Sequence, residues 1–420
     1  MRLMRRPPLR PHLPPHARAL ALTLGLGALV PFVGAPAAVA ADPKPLRLPV
    51  MPARLDADAD CTGSSARRAT TVPWEQQRLQ LTRAWEFSSG SGVTVAVVDT
   101  GVSTAAPALK GRVTAVGQAG EDCVGHGSFV AGLVGAAAAD GVRFAGVAQR
   151  ARIVAVRGTD ARGAATAASV AAGISAAVKA EAGVIVVSPA LEAGSARLTA
   201  AVTSAVAHDA VVVAAAVSDP PARSGADQET PAPRDYWPAA QSGVLSVLDV
   251  DADGGRPDDA LLPRGADLTA PGDGVIGIGP RGSGHFIGSG ASFAAAFVAG
   301  AAAQVRSSHP ELTGKQTAER LVSTAYPDTV PHLDPYAALT AVSAPRSDEA
   351  ARQGTPDRQA PVALPADAAS RPTRRAVLLA AGGGAVMLLV AWAAVVFPRG
   401  RARRWRPAGA DISPEPGGEV

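Results

Sequence analysis

Three residues of three chemical types stand against glycine-rich turns at the borders of apolar runs. They are Asp99 in VAVVDTG, His126 in GHG, and Ser292 in GSGASFAAAFVAG. Together they offer a carboxylate, an imidazole and a hydroxyl. An imidazole can take the hydroxyl proton as that oxygen attacks a carbonyl, while the carboxylate orients the ring and stabilises its charged form. The chemistry is nucleophilic hydrolysis. Ser292 opens a predicted helix, Phe293–Ser307, whose first N–H groups and positive end would stabilise a developing oxyanion. The small residues Ala291, Ala294 and Ala295 keep its hydroxyl accessible. Gly125 and Gly127 let substrate and neighbouring backbone approach the His126 ring.

Each residue also has an ordinary use. Aspartate closes turns, lone histidines pack in cores, and serine caps helices. A sharper rival is that hydrophobic-Asp-Thr-Gly is the aspartic protease word, in which two carboxylates share one proton. No second Asp-Thr-Gly or Asp-Ser-Gly occurs, so that chemistry needs a homodimer around Asp99 and leaves the other two words without purpose. His285 competes with His126, but the loop around it lacks an ordering element.

The elements that must position these groups read as short Val/Ile-rich strands alternating with alanine-rich amphipathic stretches. Strands are predicted at Val93–Val98, Arg152–Val156, Val184–Ser188, Val211–Ala215 and Val244–Leu248. Helices are predicted at Gln76–Trp85, Gly127–Ala138, Ala164–Glu181, Leu198–Ala207, Phe293–Ser307 and Gly314–Thr324. Near-continuous apolar strands are buried on both faces, and the alternation gives an α/β fold with a mainly parallel central sheet between helical layers. Ligands in such sheets bind beyond the carboxyl ends of the strands, and Asp99 lies just past the first one. Ser218–Pro238 reads as a long proline-rich surface loop.

The ends of the chain bound its compartment. A basic stretch, an apolar run from Ala19 to Val33 and Ala38-Val39-Ala40 read as a signal peptide over residues 1–40. Residues 41–75 lack periodicity and form an extension, 76–342 hold the catalytic domain, and 343–375 are a Pro/Ala/Arg-rich disordered linker. Ala376–Phe397 is 22 residues without a charge, enough to cross about 30 Å of hydrocarbon. The arginines at 399, 401, 403, 404 and 406 place the tail, 398–420, in the cytoplasm and the body outside. A pI near 9.4 suggests nucleic acid, but much of the positive excess belongs to the signal and the anchor, which excludes that partner. Two cysteines, Cys61 and Cys123, in an exported chain invite a disulfide that ties the extension to the rim near His126. Without matching histidines they cannot fill a tetrahedral metal shell, so no metal is expected.

The order Asp–His–Ser differs from the His–Asp–Ser of chymotrypsin-type enzymes and the Ser–Asp–His of α/β-hydrolases. With the three words themselves, the chain resembles the subtilisin-like serine proteases. Among them it is similar to the mycosins, membrane-anchored subtilases of actinobacterial type VII secretion. That similarity rests on the signal peptide, the extension with its cysteine, the cysteine before GHG, the proline-rich stalk, one span and a basic tail. APGDGV (270–275), HPELTGKQ (309–316) and LDPYAAL (333–339) match family segments as well. The resemblance implies a subtilisin-like three-layer fold and one C-terminal transmembrane helix. It also implies an extracytoplasmic serine endopeptidase acting on polypeptides without a cofactor, and the membrane complex of a type VII system as a partner.

The resemblance also marks departures. The family's oxyanion asparagine follows A-A-G; here the run is Ala215-Ala216-Val217-Ser218, and no asparagine occurs anywhere in the chain. Ser218 is therefore expected at the oxyanion position, with slow turnover, since losing one such donor costs about 10²–10³-fold in rate. Val217 should narrow the primary specificity pocket beside Ala215. One substrate-pairing edge corresponds to Ser188-Pro189-Ala190 and the other runs from Arg157 and Gly158 to Gly163, with Arg157 or Asp160 facing substrate. A weakly active or inactive subtilase serving as a structural subunit of the secretion complex is the alternative.

Overall fold

The computed structural model describes residues 47–220, 232–256, 260–342 and 370–402. The expected signal peptide, most of the linker and most of the tail lie outside the described residues. The chain divides into two units, one ending at Ala341 and one beginning at Val342.

In the first unit the valine runs become the centre of a parallel sheet. Its strands are β1 (Thr94–Asp99), β2 (Val113–Ala115), β3 (Arg152–Arg157), β4 (Val184–Val187), β5 (Val211–Ala215), β6 (Val244–Val250) and β7 (Leu268–Pro271). Their order across the sheet is β2-β3-β1-β4-β5-β6-β7, with every pairing parallel. A separate antiparallel ribbon joins β8 (Val275–Ile278) to β9 (His285–Gly288).

Alternation along each strand divides the core. Val95, Val97, Ile153, Ala155, Val184, Val186, Val211 and Val213 face one way and pack with α3 (His126–Gly135) and α6 (Ala291–Ser308). Ala96, Val98, Val154, Val156, Ile185, Val187, Val212 and Ala214 face the other way, against α4 (Ala167–Lys179) and α5 (Ala196–Ala207). Each valine removed from water on either face stabilises the fold by about 1.5–3 kcal/mol. The result is a subtilisin-like three-layer α/β fold, as the sequence led us to expect. Helix α6 is buried from Ala291 to Val305, and its alanines let it lie close against the sheet and α3.

The stretch expected as one helix over Gln76–Trp85 is broken into α1 (Trp74–Arg78) and α2 (Leu81–Ala84). Leu79 and Leu81 are both buried, yet residues two apart point to different faces of a helix. A left-handed Gln80, φ 49°, turns the chain so that both reach the core. Helices α7 (Gly314–Ser323) and α8 (Pro335–Thr340) close the unit, each started by a side-chain cap from Thr313 or Asp334.

The extension crosses the rim of the sheet. Met51 N–H donates to Ile287 O on β9 (2.8 Å), Leu55 N–H to Arg162 O (3.0 Å), and Thr62 N–H to Cys123 O (2.9 Å). Cys61 and Cys123 form the expected disulfide, with their Cα atoms 4.6 Å apart.

In the second unit α9 runs from Ser370 to Ala402. It begins inside the segment expected to be a disordered linker, because an established helix propagates into flanks rich in good helix formers such as arginine. Ala381–Arg399 has a mean hydropathy of 1.9, long and apolar enough to cross a membrane.

Candidate active site

The chain folds so that three distant segments meet at the carboxyl end of β1. Asp99 ends that strand and is 1 % exposed. His126 is the first residue of α3, and its Nδ1 lies 2.9 Å from both Asp99 carboxylate oxygens. Ser292 is the second residue of α6, and its Oγ lies 3.0 Å from His126 Nε2. The Phe293 ring, 4.9 Å from the imidazole between centroids, backs His126 and packs in turn on Phe129. Gly127 is required by the close approach of two turns: a Cβ there would lie 2.0 Å from Gly101 O.

Charge is strongly coupled here. Burial pushes the Asp99 carboxyl up, but the His126 charge and hydrogen bonds from His126 and Thr100 outweigh it and hold Asp99 below its usual range. Ser188, buried beside Asp99, helps in the same direction while making no well-aligned hydrogen bond of its own. Burial alone would lower the His126 imidazole. The carboxylates of Asp99 and Asp219, on its two sides, raise it well above 6.5 instead.

Asp219 is the residue that sequence reasoning missed. The Ser292 N–H donates to its Oδ1 (3.0 Å), the Ser292 hydroxyl donates to its Oδ2 (2.5 Å), and His126 Nε2 lies 3.0 Å from Oδ2. Ser218, expected at the oxyanion position, turns away and donates from Oγ to Ala190 O (2.9 Å). The expectation is corrected by one residue. The side chain after Ser218 is the one that reaches the Ser292 hydroxyl. Asp122 was missed as well. Its carboxylate accepts from Thr100 Oγ1, Gly125 N–H, Ser128 N–H and Ser128 Oγ, each at 2.8 Å. An acidic residue a few positions before a helix start was the available signal.

The expected substrate edges fare unevenly. Ala215 and Val217 are buried together with Tyr236, Leu248 and Ala291, so Val217 fills apolar space behind the nucleophile. Ser188 and Ala190 lie on the neighbouring edge, with Ala190 O taken by Ser218. Arg157, expected along a substrate edge, has its guanidinium donating to Thr100 O (2.7 Å) and Glu121 O (2.8 Å), bracing the loops that carry Asp99 and Asp122. Gly158 is likewise committed, its N–H to Asp99 O and its O to Ser169 Oγ. The Asp160 carboxylate accepts from Arg162 N–H and Ala164 N–H and so holds its own turn. His285 is buried on β9, where Nδ1 accepts from Ala69 N–H, a structural role.

A carboxylate, an imidazole and a hydroxyl in series can transfer a proton from oxygen to nitrogen as the oxygen attacks. Comparison with known proteins points the same way. The sequence pattern of the subtilase family, peptidase S8, matches residues 90–359. Mycosin-4 of Mycobacterium tuberculosis (strain ATCC 25618 / H37Rv) is 30% identical over 430 residues, covering 89% of this chain and 94% of its own. The MycP3 protease from the type VII (ESX-3) secretion system superposes with a TM-score of 0.59 at 30% identity, over 70% of this chain and 95% of that one. A chain in an intact ESX-5 inner membrane complex superposes with a TM-score of 0.59 at 28% identity, over 81% and 94%.

Proposed function

The chain belongs to the subtilase family, and on that premise we propose that it is a membrane-anchored, extracytoplasmic serine endopeptidase of the mycosin kind. The observation that carries the reading is the unbroken series Asp99, His126 Nδ1, His126 Nε2, Ser292 Oγ at 2.9 and 3.0 Å. Ser292 Oγ attacks the carbonyl carbon of a peptide bond and passes its proton to His126 Nε2. Asp99 holds the ring in the required tautomer and stabilises its positive charge. The imidazolium then protonates the leaving amine, and water releases the acyl group by the same path in reverse. The Ser292 N–H, at the start of α6, would meet the oxygen that becomes negative once Asp219 Oδ1 leaves it.

The apolar stretch of α9 supports a single membrane span, and the arginines that follow it support a cytoplasmic tail. The likeness to a chain of an ESX-5 inner membrane complex supports a type VII secretion complex as the partner. Labelling by a fluorophosphonate probe tests the catalytic reading. Ser292 should be labelled across part of the pH range, and Ser292→Ala should abolish the signal. No labelling at any pH overturns it.

One observation favours a second reading, a subunit whose turnover is incidental to assembly. Asp219 puts a hydrogen-bond acceptor where the chemistry calls for a donor.

A further inference from the structure

Asp219 lies four residues beyond β5, in the space shared by the Ser292 N–H, the Ser292 hydroxyl and the His126 ring. The turn carrying Ser292 is built around it: a Cβ on Gly290 would lie 2.1 Å from Asp219 Oδ1, so only glycine admits the carboxyl group. The N–H that Asp219 occupies is the one that must meet the scissile carbonyl oxygen as it turns negative. An ionised carboxylate only accepts hydrogen bonds. There it repels an oxyanion, draws the Ser292 hydroxyl away from His126, and keeps a proton on the ring that should act as base. A carboxylic acid in the same place donates.

We propose that Asp219 is the oxyanion donor of this chain, competent only while it carries a proton, and that its ionised form latches Ser292 and His126 shut. The proposal rests on the endopeptidase reading and deepens it into proton-dependent control of that site. The switch is one proton transfer. The proton on His126 Nε2 passes to Asp219 Oδ2, 3.0 Å away, and both groups become neutral. The freed lone pair on Nε2 now faces Ser292 Oγ at 3.0 Å. Substrate carbonyl oxygen replaces Asp219 Oδ1 on the Ser292 N–H. As Oγ bonds to the carbonyl carbon, its proton moves to Nε2 and the carbonyl π electrons move to oxygen. The Ser292 N–H and the Asp219 O–H both donate to that oxyanion. The latched and open forms hold the same number of protons and differ only in which atom carries one.

Asp219 shares its surroundings with other charged groups. His126 on α3 is its direct partner. Asp249 on β6 is buried and pushed up by that burial and by the charge of Asp219, while Arg256 at 2.9 Å draws it back. Asp99 lies beyond the His126 ring and adds further negative charge to the cluster. On this proposal activity needs one proton shared between His126 Nε2 and Asp219 Oδ2, 3.0 Å apart.

The test compares the full chain in detergent with Asp219→Asn and Ser292→Ala, following fluorophosphonate labelling from about pH 4 to about pH 9. An amide at position 219 donates at every pH. Native labelling should fall at least about tenfold on the alkaline side as the shared proton is lost. Asp219→Asn should instead rise to an alkaline plateau and exceed the native chain there by about 10²-fold. A common alkaline-rising profile, with Asp219→Asn no faster, overturns the proposal and leaves the endopeptidase reading standing. Absence of labelling in both chains overturns that reading itself. The His126 ring resonance gives a second readout independent of turnover. Its titration midpoint should fall in folded Asp219→Asn, and an unmoved midpoint also overturns the latch.

Discussion

Thr100 and Asp122 are joined by a buried 2.8 Å hydrogen bond between side chains, and the same Thr100 oxygen accepts from Gly127 N–H at 2.9 Å. That pair fastens the turn after Asp99 to the turn that presents His126. Asp122→Ala removes the acceptor for four buried donors, so unfolding free energy should fall by about 2–4 kcal/mol. Because the two triad turns then drift apart, kcat should fall by roughly 10²-fold with KM little changed. Thermal unfolding and steady-state kinetics measure both, and Asp122→Asn, which keeps some acceptors, should recover part of each. Unchanged kcat in a folded Asp122→Ala would show that the bridge positions nothing.

Glu75 on α1 is fully buried, with one carboxyl oxygen accepting from Ile276 N–H at 3.0 Å and the other unpartnered. Burial pushes it up to about 7 from 4.5. Between these values the folded chain holds a proton that the unfolded chain has lost, so stability declines as pH rises through that window. The decline should approach about 3 kcal/mol. Glu75→Gln keeps the acceptor and removes the charge, and urea titrations at successive pH values should show the slope disappear.

His126 titrates with the same slope. Because its folded value lies well above 6.5, its contribution is complete below about pH 6.5 and vanishes as pH rises through the folded value. In Ser292→Ala, which cannot digest itself, unfolding free energy should therefore fall toward alkaline pH. Combining it with Asp219→Asn should make that fall smaller, since one of the two flanking carboxylates is gone. Equal slopes in the two chains would contradict the coupling.

The Cys61–Cys123 bond closes a loop with a sequence separation of 62. Replacing both cysteines by serine should cost about 4 kcal/mol on the chain-entropy account. The segment before Thr62 should then be cut by added trypsin at Arg54 under conditions where the native chain resists. Identical digestion patterns would mean that the hydrogen bonds to Ile287 and Arg162 suffice to hold it.

Cleaving the chain after residue 342 should release the first unit from membranes into the soluble fraction, with Ser292 still labelled. Continued sedimentation with membranes would remove α9 as the anchor.

The sheet and the three triad words were legible because their signals are local. Val95–Val98, Val184–Val187 and Val211–Val213 can be buried on both faces and little else, and the triad residues are marked by their glycines. Strands β2, β7, β8 and β9 are three or four residues long and too short to show a period. The α1–α2 break is set by where Leu79 and Leu81 find the core, which only tertiary packing decides. Arg157 looked available because an arginine at a strand end usually is. Its partners, Thr100 O and Glu121 O, come from turns remote in sequence. Asp219 was hidden by a single residue of register, since a loop's length does not say which of two adjacent polar side chains turns inward.

Ser292 stands on α6, which with α3 covers one face of the sheet, some 190 positions after Asp99. Any chain still emerging, or still threading through a membrane, lacks both the hydroxyl and the wedge that consolidates the strands. Assembly of the Asp99–His126–Ser292 series and consolidation of the sheet therefore depend on the same late segment of the chain.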